Sequence, residues 1–202
     1  DRERNFTVYQ LVKLHNKIFE GNVTNIIEFG TDRGGGLTTI CKFIKKDSKI
    51  YSVDSFGLHA DEIKQNVSKY DEHYQGKYKP FTKKTRFKDF SHIEMTERLN
   101  EILFMKNSKL ETIVGFFPRL KEEDMKKIIN LKFSFVHLDF DLYQSTIDTF
   151  NFVKDRLEKN AIILFDDYNL INQEGVKKAV KDLKIGLDRG IQTQSGQLIF
   201  FT

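Results

Sequence analysis

Asn25-Ile-Ile-Glu-Phe-Gly-Thr-Asp-Arg-Gly-Gly-Gly36 holds a strand, a turn and the approach to a helix. The apolar run over 25–29 reads as a strand, being rich in β-branched and aromatic side chains. Glycines at 30, 34, 35 and 36 let a turn form and let backbone approach a ligand closely. From Leu37 to Lys45 the apolar spacing is helical. A strand that ends in a glycine loop and enters a helix is where an open α/β sheet binds its ligand.

Outward from this unit the alternation continues. Lys49–Val53, Leu110–Val114, Phe133–Leu138 and Ala161–Phe165 read as further strands. Helical periodicity covers roughly Val8–Glu20, Ser91–Lys106, Lys121–Ile129, Gln144–Leu157 and Gln173–Leu183. Strands alternating with helices imply right-handed parallel crossovers with helices on both sheet faces. The pattern breaks at Gly190–Phe201, which reads as two short strands around a Ser195-Gly196 turn. The fold class is therefore α/β and Rossmann-like. Five parallel strands and a C-terminal antiparallel hairpin match the seven-stranded class I methyltransferase sheet better than the six parallel strands of a dinucleotide dehydrogenase.

The 202 residues fit one domain over 1–202. A polar stretch at about 58–90, carrying Tyr70, Tyr74, Tyr78, Phe81 and Phe87 among lysines, fits no strand and reads as a lid-like insertion. No apolar run is long enough for a membrane span. Charge is nearly balanced, 33 basic against 29 acidic residues, which gives no case for nucleic acid. The one cysteine, Cys41, forms neither an internal disulfide nor a cysteine metal cluster, so a cytoplasmic location is the simplest expectation. The start at Asp1, without Met or an apolar signal core, reads as a trimmed or incomplete N-terminus.

The loop chemistry favours a particular cofactor. Glu28 places negative charge beside the glycines, which suits a ligand carrying an ammonium and a sulfonium. The G-x-G-x-x-G spacing of a pyrophosphate site is absent. Asp54 ends the second strand, where an acidic side chain accepts from ribose hydroxyls. A plain turn and a common strand-end acid are the structural alternatives, and the ordered combination favours S-adenosyl-L-methionine.

Two acidic clusters end the fourth and fifth strands, His137-Leu-Asp-Phe-Asp141 and Phe165-Asp-Asp-Tyr168. Parallel neighbours bring such ends together, so Asp139, Asp166 and Asp167 are expected to converge on a cation. Oxygen-only ligands favour Mg²⁺, Mn²⁺ or Ca²⁺ over Zn²⁺, and such an ion would lower the pKa of a substrate hydroxyl. Asp141 reads equally as a general base, a loop anchor or a cap for the helix starting near Tyr143.

These motifs together resemble the macrocin O-methyltransferase (TylF) family. The resemblance rests on Glu28-Phe-Gly-Thr31 with Gly34, Asp54-Ser55-Phe56, Gly115-Phe116-Phe-Pro118, Leu138-Asp-Phe-Asp-Leu-Tyr143 with Ser145-Thr146, and Phe165-Asp-Asp-Tyr168. It implies S-adenosylmethionine-dependent methylation of a sugar hydroxyl in a glycan or natural product. It also implies Asp139, Asp166 and Asp167 on a metal; Glu28, Gly30 and Asp54 on the cofactor; and Gly115 and Phe116 near the adenine. Gly57-Leu-His-Ala60 departs from the family, lacking an extra residue and a proline.

The remaining features carry less. His15, His59, His73, His92 and His137 show no metal spacing, and His137 reads as packed within its strand. Cys41 reads as packing, and the basic–aromatic stretch Lys77–Lys88 as solvated surface, a phosphate contact or a contact for single-stranded nucleic acid. A homodimer is the expected assembly. The rival functions are a nicotinamide-dependent oxidoreductase, which lacks its glycine fingerprint, and a non-catalytic nucleoside-binding module, which would not need the aspartates.

Overall fold

The computed structural model describes residues 2–71, 87–170, 174–185 and 189–202. Seven strands form one sheet: β1 Thr24–Phe29, β2 Ser48–Asp54, β3 Lys109–Val114, β4 Phe133–Leu138, β5 Leu157–Phe165, β6 Ile191–Gln192 and β7 Leu198–Phe201. Their order is β3-β2-β1-β4-β5-β7-β6. The first five strands are parallel, and β7 runs antiparallel between β5 and β6. The strand order reverses between β1 and β4, so their carboxyl ends flank the crevice where doubly wound sheets bind ligands.

Alternation within each strand sends side chains to two helical layers. Ile26, Ile50, Leu110, Phe135 and Leu164 meet α1 (Arg2–Ile18), α2 (Gly35–Phe43) and α4 (His92–Phe104). Ile27, Val53, Ile113, Val136 and Phe165 meet α6 (Tyr143–Val153), α7 (Glu174–Asp182) and the turn after α5 (Glu122–Met125). Both faces are covered, which is why β1 and β4 are apolar with few interruptions. Two of the interruptions, Glu28 and His137, lie side by side in the β1–β4 register.

Several boundaries differ from the expected ones. Helix α1 begins at Arg2, six residues before Val8, because Arg4 continues the inward stripe of Val8, Leu11, Val12 and His15 at helical spacing. Helix α6 stops at Val153, and β5 starts at Leu157 rather than Ala161, adding a polar, exposed first half. Helix α5 is a single turn. The segment read as an insertion holds a short helix, α3 (Ala60–Gln65), while 72–86, including Tyr74, Tyr78 and Phe81, lies outside the described residues. The C-terminal hairpin turns at Gly196, where φ is +86°, and Thr193 N–H donates to the Gln197 carbonyl at 2.9 Å. No described helix is long and apolar enough to cross a membrane.

Candidate active site

A cleft of about 480 Å³ opens at the carboxyl ends of the parallel strands. On its β1 side, Gly30 has φ +83°, and a Cβ there would run into the Asp139 carbonyl. The Asp139 amide in turn donates to the Phe29 carbonyl at 2.9 Å, so the two strand ends are fastened together by backbone. Gly30, Thr31, Gly35 and Gly36 line the cleft. Gly34 sits behind them in the left-handed conformation at the start of α2, facing Met95.

Asp54 ends β2 on the cleft wall. Its Oδ2 accepts from Asp32 N–H at 2.7 Å and its Oδ1 from Phe56 N–H at 2.6 Å. These bonds aim the carboxylate and leave lone pairs for further donors. Burial pushes its carboxyl up to about 6, against the pull of the two amides. Ser55, Gly115 and Phe116 complete this wall. Phe56 turns away and packs with Phe87, Phe90 and His92.

The β4–β5 side is acidic. Asp139, Asp166 and Asp167 meet here, the last two almost fully buried. The guanidinium of Arg4, reaching in from α1, touches all three: Asp167 Oδ1 at 2.7 Å, Asp139 Oδ1 at 3.4 Å, and Asp166. Desolvation raises the Asp139 pKa well above the usual range, the nearby Asp167 charge adds to this, and Arg4 opposes it. Gln197 ties the cluster to the hairpin by donating to Asp166 and, at 3.5 Å, to the Arg4 carbonyl. Asp141 lines the cleft beside them. The first amide of α6, Tyr143 N–H, is taken at 2.8 Å by Asp71.

Glu28 lies beneath the loop and does not line the cleft. Its Oε1 is 2.8 Å from His137 Nδ1, and both side chains are buried. The opposite nitrogen, His137 Nε2, faces Asp166 Oδ1 at 3.4 Å. Of the other histidines, buried His15 bonds Ser134 Oγ at 2.8 Å and its pKa falls to about 4 through desolvation. His59 contacts Glu62, and His92 stacks on Phe56.

Arg4, Gln197 and the Glu28–His137 pair escaped the reading of the sequence. Arg4 had a signal, since it stands four residues before Val8 on the inward face of α1. The pair had one too, because Glu28, His137 and Asp139 share the strand face toward α1, but register is needed to see it.

The family model described as Macrocin-O-methyltransferase (TylF) matches residues 6–195. The chain belongs to this family. It is accordingly an S-adenosylmethionine-dependent O-methyltransferase, and membership sets aside the nicotinamide oxidoreductase and the non-catalytic module. Similar solved structures share its fold at low identity. The O-methyltransferase NovP is 17% identical with a TM-score of 0.66, covering 98% of this chain and 78% of that one. CalS11, a TDP-rhamnose 3'-O-methyltransferase of calicheamicin biosynthesis, is 16% identical with a TM-score of 0.61, over 97% and 79%. TomG from Streptomyces achromogenes, solved with S-adenosylmethionine, is 14% identical with a TM-score of 0.59, over 100% and 81%. Among curated proteins none matches.

Proposed function

We propose that this TylF-family enzyme methylates a sugar hydroxyl of a glycan or natural product, using a divalent cation, Mg²⁺ or Mn²⁺, held by Asp139, Asp166 and Asp167. The observation that carries the cation is Arg4. Three carboxylates, two of them buried, gather around one positive charge at the end of the cleft. Buried carboxylates need a compensating cation, so the donor set fits a hard divalent ion where the guanidinium now lies. The sugar class draws on the description of the similar CalS11 as a TDP-rhamnose 3'-O-methyltransferase.

The residues divide the work. Asp54 accepts from the ribose hydroxyls of the methyl donor, and Gly30, Gly35 and Gly36 clear space for its backbone-close portion. Ser55 and Phe116 bound the nucleoside end. Asp139 joins the two halves, its amide fastened to β1 and its carboxylate in the acidic cluster. A cation held there would supply the Lewis acidity that lowers the pKa of an acceptor hydroxyl. Asp141 takes the hydroxyl proton as the oxygen–methyl bond forms and the sulfur–methyl bond breaks. Positioning within one cleft removes the entropic cost of bringing donor and acceptor together.

The test is methyl transfer from methyl-labelled S-adenosylmethionine to a panel of nucleotide sugars and glycosides, with Mn²⁺ or with EDTA. Labelled sugar formed only with the cation is expected. Turnover unchanged by EDTA would overturn the metal, and label passing only to non-sugar phenols would overturn the acceptor class.

A further inference from the structure

We propose that His137 is itself a cation ligand through Nε2, turning the acidic cluster into a mixed nitrogen–oxygen site oriented by Glu28. This rests on the reading that the site takes a divalent cation and adds a donor that reading does not contain. Glu28, His137 and Asp139 stand on the strand face toward α1, and so does Asp166, two residues past Leu164. The sheet thus lines up a carboxylate, an imidazole and two further carboxylates across three adjacent strands.

The hydrogen bonding fixes which nitrogen is available. With Glu28 accepting, the 2.8 Å contact places an imidazole proton on Nδ1, and the neutral ring then carries its lone pair on Nε2. Nε2 is buried and has no hydrogen-bond partner, although Asp166 Oδ1 is 3.4 Å away. A lone pair then faces a carboxylate across a short, dry gap. Two acceptors in that arrangement repel unless a proton or a cation lies between them, and a cation would also be shared with Asp139.

The geometry suits one. One donor atom each from His137, Asp139 and Asp166 falls within 4.8 Å of the others. Bonds of about 2.0–2.2 Å to nitrogen and oxygen need only a modest closing of that triangle. The imidazole is also held still. A Cβ on Gly36 would lie 2.6 Å from Glu28 Oε1 and 2.9 Å from His137 Cε1, so the glycine loop packs directly onto the pair. A carboxylate behind a ligating imidazole raises its basicity and sets its orientation. An imidazole in the set favours later transition metals such as Co²⁺ or Ni²⁺ over Mg²⁺ or Ca²⁺, with Mn²⁺ between the two groups.

Pulsed EPR of the Mn²⁺-loaded full chain tests this without turnover. The wild type should show the ¹⁴N modulation of a directly coordinated imidazole. His137→Gln should lose it and bind Mn²⁺ about 10–100-fold more weakly, with the smaller loss at Mg²⁺. Glu28→Gln should weaken Mn²⁺ binding in the same direction while keeping the nitrogen signal. Bound Mn²⁺ without ¹⁴N coupling in the wild type, or coupling that survives in His137→Gln, overturns the proposal while leaving an oxygen-only cation site intact. Failure of the wild type to bind Mn²⁺ overturns both, whereas S-adenosylhomocysteine binding by the same sample reports separately on the methyl-donor site. The wild-type spectrum decides even if a variant does not fold.

Discussion

On the β2 side of the cleft, Asp54 is held by amides from its own neighbourhood, two residues away at Phe56 and 22 away at Asp32. On the β4–β5 side, Asp139 and Asp167 are answered by Arg4, 135 and 163 positions distant. The first arrangement is written into local backbone and survives changes in what fills the cleft. The second exists only after α1 docks, and its charge balance depends on which cation sits among the carboxylates. On the proposed assignment, the nucleoside side is therefore preformed and the acidic side is exchangeable.

That contrast breaks most visibly under Asp166→Ala. The rate of methyl transfer should fall by about 10³-fold, because the proposed metal activation would be worth several kcal/mol, while S-adenosylhomocysteine affinity stays within a few-fold. Parallel loss of both in single-turnover and calorimetric measurements would show the two sides to be one site. Asp54→Asn is the converse change. It removes charge-assisted acceptors worth about 1.5–3 kcal/mol, so S-adenosylhomocysteine should bind roughly 10–100-fold more weakly with Mn²⁺ affinity unchanged by calorimetry.

The same carboxyl sets a pH dependence. Its pKa is raised to about 6, so the ionised form, the one proposed to accept from ribose, is complete only above that value. S-adenosylhomocysteine affinity should fall as pH drops below about 6, with a limiting slope of about tenfold per unit, and Asp54→Asn should flatten that part of the profile. The stability term has the opposite sense: the raised pKa favours the folded state at low pH, and this contribution is lost between 3.8 and about 6. The smallest effect belongs to Arg4→Ala. Removing the competing guanidinium should tighten Mn²⁺ binding by about tenfold or less at low salt, and weaker binding would make Arg4 a support of the cation rather than its rival.

How much of this the sequence shows follows the same divide. The glycine loop, Asp54 and the strand-end aspartates announce themselves, because each is a local pattern at the end of an apolar run. The alternation and the C-terminal hairpin likewise reveal the sheet. Arg4 and His137 do not. One needs the phase of α1 extended to the first turn of a polar helix, and the other needs the register that sets Glu28 beside it. His137 reads as packing because a buried strand residue without its neighbours gives no sign of a carboxylate on one nitrogen and a cluster of aspartates on the other.

The most direct test of a preformed nucleoside side is calorimetry of S-adenosylhomocysteine on the wild type, first in EDTA and then with Mn²⁺. The structure predicts about micromolar binding in both conditions, with the cation changing the affinity by no more than a few-fold. Binding that appears only with Mn²⁺, or no binding at all, would contradict it.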